Sequence, residues 1–269
     1  MMLSIRTQYF LFLVLTFLYM PEANAQIELE DFSDTREVII SNGDSLIIVN
    51  VATIEYKLEK IYSSANYHWF DANKVWTNVG GYDGFLLNGN FTVKDASGKM
   101  IRNGKFKNGL KTGIWIEWYP NGERKILNEW EYGQLDGDVF KWSPKGELIS
   151  HYVYKNDMKN GKYEIFEKGQ LIEKGKMQNN LKSGKVISYS NGNLKSKVRY
   201  RNGKKHGLTK TYDHEGKLLK KERYIDNELK IGREHKSATP EKKKSKGSNW
   251  KFWKDIPGEN SEISKDEKQ

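Results

Sequence analysis

Three features of this 269-residue chain could do chemistry: a near-match to a phosphate-binding loop, five histidines, and a scatter of carboxylates. "GKFKNGLKT" (Gly104 to Thr112) approaches G-x-x-x-x-G-K-[ST], but Leu110 stands between Gly109 and Lys111. A Walker loop must also lead from a strand into a helix, whereas this stretch reads as strand and hairpin turn. Of the histidines (His68, His151, His206, His214 and His235), His206 and His214 lie near Asp213 and invite a metal assignment. They fall at opposite ends of one expected strand, about 25 Å apart at ~3.3 Å per residue, too far to share an ion. Both read as solvated turn residues. No carboxylate pair recurs at a telling spacing or sits in an apolar run that would raise its pKa. The expectation is a protein that is not an enzyme and uses no cofactor or metal.

The elements that would position such residues form a repeat. Glycines recur at Gly89, Gly113, Gly137, Gly161, Gly184, Gly207 and Gly232, with spacings of 24, 24, 24, 23, 23 and 25. A second glycine follows in each complete unit, at Gly98, Gly122, Gly146, Gly169, Gly192 and Gly216. Five residues after the first glycine stand Lys94, Trp118, Trp142, Phe166, Tyr189 and Tyr212. Two after the second stand Met100, Arg124, Leu148, Leu171, Leu194 and Leu218; eight after it stand Phe106, Trp130, Tyr154, Met177, Tyr200 and Tyr224. Each unit reads as a short strand, an inner glycine turn, a longer strand and an outer turn ("KNG", "YGQ", "KND", "QNN", "RNG", "DNE"). Tight hairpins need positive φ, which Gly adopts freely and Asn tolerates. The fold class expected is all-β: tandem β-hairpin repeats of about 24 residues stacked into an elongated twisted sheet, with its leucine and aromatic rows as core. The first strand has apolar residues of opposite parity, which points to a bulge.

The ends differ from the array, which spans 65–232. Residues 1–25 read as a signal peptide: Arg6, the apolar run "YFLFLVLTFLYM", then Ala23-x-Ala25 before Gln26. That run is shorter than the ~20 residues needed to cross a bilayer. The expected location is therefore exported, periplasmic or secreted. Residues 26–64 read as a β-rich cap with a hairpin at Asn42-Gly43-Asp44, and "EYKLEKIY" as strand or short helix. Residues 65–88 fit the frame as a degenerate first unit, with Phe70, Lys74, Trp76 and Tyr82 in its columns. Residues 233–269 are lysine-rich, then acidic, and read as a disordered tail.

Composition narrows the partners. The net charge is +10, only 37% of residues are hydrophobic, and there is no cysteine. Disulfides, thiolate metal sites, thiol catalysis and a cysteine-linked lipid anchor are excluded. Lysines interleaved with aromatics suit nucleic-acid binding, but export argues against it. Anionic lipid or polysaccharide fits the compartment better, and edge lysines also simply discourage aggregation. In the tail, Lys242, Lys243 and Lys244 beside Trp250, Phe252 and Trp253 form an interfacial membrane motif. A sheet this thin offers few pockets for a small-molecule substrate.

Units built on "YPNG" (Tyr119 to Gly122) and "YSNG" (Tyr189 to Gly192) resemble the MORN-repeat variant family; "WSPKG", "YDHEG" and "FEKG" depart from the pattern. The segment "YHWFDANKVWTNVGGYDGFLLNGNFTV" is similar to the entry segment of secreted Bacteroidota members labelled YwqK-type antitoxins. The resemblance implies stacked hairpins serving as an interaction or membrane-apposed scaffold, and brings no catalytic residues. The expected function is a non-enzymatic scaffold contacting an unidentified protein partner at the cell envelope. The alternatives are a binder of anionic membrane or glycan, and an antitoxin-like inhibitor of a partner. Tyr119 and Tyr132 lie outside the packing columns and are the array's candidate contact residues, and Arg124 is the charge in an otherwise Met/Leu column.

Overall fold

A computed structural model describes residues 34–55 and 57–234, apart from the side chain of Asn42. The predicted signal peptide and nearly all of the predicted tail, including Lys242–Lys244, Trp250, Phe252 and Trp253, lie outside the described residues. The described chain is all β, without a helix. Its N-terminal strands are β1 (Thr35–Asn42), β2 (Ser45–Ala52), β3 (Asn66–Asp71) and β4 (Lys74–Val79). The array follows as β5 (Phe85–Asp95), β6 (Met100–Lys107), β7 (Leu110–Trp118), β8 (Arg124–Glu131), β9 (Gln134–Trp142) and β10 (Leu148–Lys155). It continues with β11 (Met158–Glu167), β12 (Gln170–Gln178), β13 (Leu181–Ser190), β14 (Asn193–Arg201), β15 (Lys204–Tyr212), β16 (Leu218–Ile225) and β17 (Glu228–Glu234). From β5 onward each strand pairs antiparallel with the next, giving an open sheet of consecutive hairpins.

The register explains the sequence columns. The residue five after the first glycine sits opposite the residue two after the second: Trp118 faces Arg124, Trp142 faces Leu148, and Tyr212 faces Leu218. The first glycine faces the aromatic row, Gly113 opposite Trp130 and Gly207 opposite Tyr224. The four columns are therefore two cross-strand pairs per hairpin. The bulge expected from the parity mismatch is present twice in most units. Opposite β6, the residues Gly113, Ile114 and Trp115 of β7 face Gly104 alone, between the pairs Asn103–Ile116 and Lys105–Thr112. Gly113 there has φ +63°, so the extra residues demand a left-handed backbone. A smaller shift at Glu117/Trp118 resets the parity. Gly232 is not a seventh bulge glycine. It pairs in register with Glu222, and the outer-turn count puts Ile231 at the equivalent position.

The most buried row lies two residues after the bulge glycine: Phe91, Trp115, Val139, Tyr163, Val186 and Thr209. Bulky members of that row face a glycine. A Cβ on Gly104 would run into the indole of Trp115, and one on Gly175 would come within 3.0 Å of Tyr163 and Val186. The leucine and aromatic columns flank this row and are half-buried, apart from fully buried Phe106 and exposed Arg124. The core thickens only at the N-terminal end, where Val38, Ile40, Val49, Val51, Phe70 and Leu87 join Phe91, Phe106 and Trp115.

Unit lengths follow the inner turns. Units of 24 residues place five residues between the flanking pair, as from Trp118 to Arg124, and units of 23 place four, as from Phe166 to Leu171. The outer turns are two-residue loops with both φ positive, such as Asn179-Asn180 and Asn202-Gly203. Their second N–H donates to the preceding odd strand, as from Asn180 to Lys159 O at 3.0 Å. Where that residue is Asp or Asn, its Oδ1 also accepts from the same strand, as from Lys159 N at 2.8 Å. The turns are thus stitched in a second ladder, which is why Asn and Asp fill them.

At the N-terminal end, β1 and β2 form the expected hairpin, and β2 pairs with β5. The 65–88 segment departs from the expected first unit. It does form a hairpin, β3–β4, turning on Ala72 and Asn73. However, β2 holds the place beside β5, and β3 pairs with β5 only at Trp69–Leu86 and Phe70–Phe85. The hairpin instead lies against the first outer turn, where His68 N donates to Gly109 O. Tyr67 and Trp69 pack with Leu86 and Leu110 in a second cluster. The described part of "EYKLEKIY" is neither strand nor helix. It is tied down by tyrosine hydroxyls, which accept from Leu58 N (Tyr82) and Tyr62 N (Tyr67).

Candidate interaction surface

Tyr119 opens the inner turn before β8 and Tyr132 the outer turn after it, so the length of that strand, roughly 26 Å at ~3.3 Å per residue, separates the two turns. The structure does not bring them together. Tyr119 is half-buried, and its hydroxyl donates to Trp142 O at 2.9 Å. Next to it, Asn121 Nδ2 donates to Pro144 O. Tyr119 thereby links one inner turn to the next.

Tyr132 differs in every respect. It is 60% exposed and sits first in the outer turn Tyr132-Gly133 with φ +48°. The five equivalent residues, Asn108, Asn156, Asn179, Asn202 and Asp226, are all Asn or Asp. A left-handed backbone is unfavourable for a bulky residue, costing of order 1–3 kcal/mol, and such outliers cluster at functional positions. The Tyr132 ring lies 6.3 Å from that of Tyr62 on the irregular segment. Between them opens a groove of about 540 Å³ floored by Leu58, Tyr67 and Leu110. Lys57, Lys60, Lys107 and Lys111 line it, against Glu59 and Glu131. That volume lies within the usual ligand-site range of roughly 300–1,000 Å³.

Lys111 also covers two indoles, with Nζ 4.7 Å from the Trp115 ring and 4.6 Å from that of Trp130. Burial lowers its pKa, Arg102 lowers it further, and Glu117 opposes both. Its equivalents down the array do the same: Lys159 lies over Tyr152, Lys182 over Tyr163 and Tyr200, and Lys205 over Tyr224. A second series from the even strands covers the other ring column, with Arg124 over Trp142, Lys174 over Tyr189 and Lys197 over Tyr212. These cations shield ring faces that a one-layer sheet leaves open. Arg124, the anomaly of its column, is one of them.

The other chemical candidates resolve into structure. Gly104 to Thr112 runs strand, turn, strand. His206 lies within β15 rather than in a turn, and its Nδ1 is 3.1 Å from Asp226 Oδ1. His214 is exposed in an inner turn. Among the described residues no three His, Asp or Glu side chains could hold a metal ion together. The Tyr163 hydroxyl donates to Glu173 Oε1, which also accepts from Lys182 Nζ; burial and this partner push the phenol pKa up. His68 is pulled down to about 4, first by burial and then by Lys111 and Arg102.

Sequence reasoning singled out Tyr132 but missed the groove. Tyr62, Leu58 and Lys60 come from a segment without periodicity, brought to the first outer turns by long-range packing. One signal was present: "YGQ" is the single outer turn that opens on neither Asn nor Asp when the residue before the glycine or its equivalent is aligned.

Two segments, residues 111–131 and 205–226, match the family model of the MORN repeat variant. They cover β7–β8 and β15–β16, and in both the third matched residue is the bulge glycine, Gly113 or Gly207. No curated protein matches the chain. The hairpins at these two places are thus similar to repeats of the MORN variant.

Proposed function

We propose that this chain is an exported repeat scaffold that makes protein–protein contact at the cell envelope through the outer-turn edge around Tyr132 and Tyr62. One observation carries the reading: an exposed tyrosine occupies a left-handed turn position that every sister turn gives to Asn or Asp. The stiff, stitched array holds that ring in place without further ordering, which limits the entropy lost on contact. Export rests on the N-terminal run and Ala23-x-Ala25, with cleavage before Gln26. It bears against the intracellular toxin inhibition that the YwqK-type label would suggest. A second reading, contact with an anionic lipid or glycan surface, draws support from the four lysines around the groove.

The test is cross-linking pull-down from native envelopes with the mature chain and with Tyr132→Asn. Loss of one specific cross-linked protein in the variant, with folding intact, supports the reading. Identical cross-linked sets overturn it. Co-sedimentation of the wild-type chain with anionic vesicles at low salt, undiminished by Tyr132→Asn, would favour the second reading.

A further inference from the structure

The groove beside Tyr132 is basic, apolar at its floor, and bordered by backbone that no strand pairs with among the described residues. Its four lysines face two glutamates. The main-chain groups of Glu59, Lys60 and Ile61 form no hydrogen bond among the described residues. Ile61 and Tyr62 are partly exposed alongside. Such a site suits an acidic extended peptide that carries aliphatic anchors and can pair with exposed backbone.

The chain itself contains an acidic segment of that composition. "DIPGENSEI" (Asp255 to Ile263) holds Asp255, Glu259 and Glu262 without a basic residue, with Ile256 and Ile263 as its aliphatic residues. We infer that this acidic segment docks in the groove formed by Leu58, Leu110, Tyr62 and Tyr132 and covers the contact surface. The inference rests on the proposed role of that surface and adds its regulation: the segment competes with the partner for the same groove.

Reach permits it. From Glu234 to Asp255 the chain can extend about 70 Å at ~3.3–3.6 Å per residue. The ten strand steps from β17 back to β7 span about 48 Å at ~4.8 Å each. A random coil of that many residues has a typical end-to-end distance of about 25 Å, shorter than the span within one copy. Delivery to the groove of a second copy avoids that mismatch and gains weight as concentration rises.

The absence of cysteine allows a clean test in the full mature chain. Two double variants are compared under mild oxidation, Glu131→Cys with Ser261→Cys and Glu123→Cys with Ser261→Cys. Glu131 lines the groove, whereas Glu123 lies at the opposite edge, so each pair removes one exposed carboxylate. The groove pair should close at least tenfold faster, and Asp255→Asn, Glu259→Gln and Glu262→Gln together should bring it to the control rate. Closure within one chain and closure between chains both support docking, and dilution separates them. Equal rates for the two pairs overturn it. If the rates are equal while Tyr132→Asn still releases the envelope partner, the segment assignment alone fails. If the groove pair closes fast while Tyr132→Asn keeps every partner, the contact reading fails and docking stands.

Discussion

Gly104 lies directly beneath the indole of Trp115, whose Nε1 donates to Lys105 O at 3.1 Å. The ring can lie on the sheet because its neighbour has no side chain and because the bulge at Gly113 swings Trp115 over that gap. Gly104→Ala should therefore force the indole out of place and destabilise by about 1–3 kcal/mol through overpacking. Gly175→Ala, with its nearest side-chain contacts at 2.9–3.0 Å, should cost less. Gly98→Ala meets no atom within 4 Å and should show only the strain of its positive φ. Urea unfolding of the three variants would reveal whether this order holds.

The burial order makes a second prediction. Trp115 is buried within the thickest part of the core, and Trp115→Ala should cost ~3–5 kcal/mol. Trp130 is half-buried at the margin of the same cluster, with Lys111 over its ring. Trp130→Ala should cost less, about 2–3 kcal/mol, because part of its surface is already wet. Equal losses would mean that the aromatic column, rather than the row beside the bulge, is the principal core.

Tyr132→Asn separates function from stability. Asn tolerates the left-handed backbone that Tyr132 adopts, so the substitution should stabilise by about 0.5–1 kcal/mol. Its lost packing is small, since the ring is largely exposed and meets the Tyr62 ring at a tilt. A stability loss of 1 kcal/mol or more in thermal unfolding would show that the ring is structural and remove the reason for reading it as a contact residue.

How much of this was legible depended on which forces fixed each part. The hairpin array could be read from glycine and aromatic spacing because each unit repeats the same local turn chemistry and the same cross-strand pairs. The bulge was foreshadowed by parity, yet its width was not, because Gly113 marks a φ requirement without stating how many residues oppose Gly104. The row through Phe91, Trp115, Val139, Tyr163, Val186 and Thr209 was missed because its members share burial but not residue type. The β3–β4 hairpin carried plausible column residues, but the aliphatic β2 outcompetes it for the edge of β5. Tyr132 stood out from the sequence only as an off-column aromatic. Its backbone strain and its groove emerge once Tyr62 and Leu58 are brought across from a segment with no period.

His68 gives the fold a pH dependence of definite sign. Its imidazole packs 4.7 Å from the Phe106 ring, with Nδ1 2.9 Å from Thr77 Oγ1. Burial, with Lys111 and Arg102 nearby, lowers its pKa from 6.5 to about 4. Between those values the unfolded chain binds a proton that the folded chain refuses, so stability rises with pH through that window. The contribution is complete above about pH 6.5, falls away as the pH drops toward 4, and amounts to at most ~3 kcal/mol. His68→Phe keeps an aromatic ring against Phe106 and removes the titration. Denaturant midpoints measured between pH 4 and 7 should therefore slope less in this variant than in the wild type. Parallel slopes would assign the acid sensitivity to other groups.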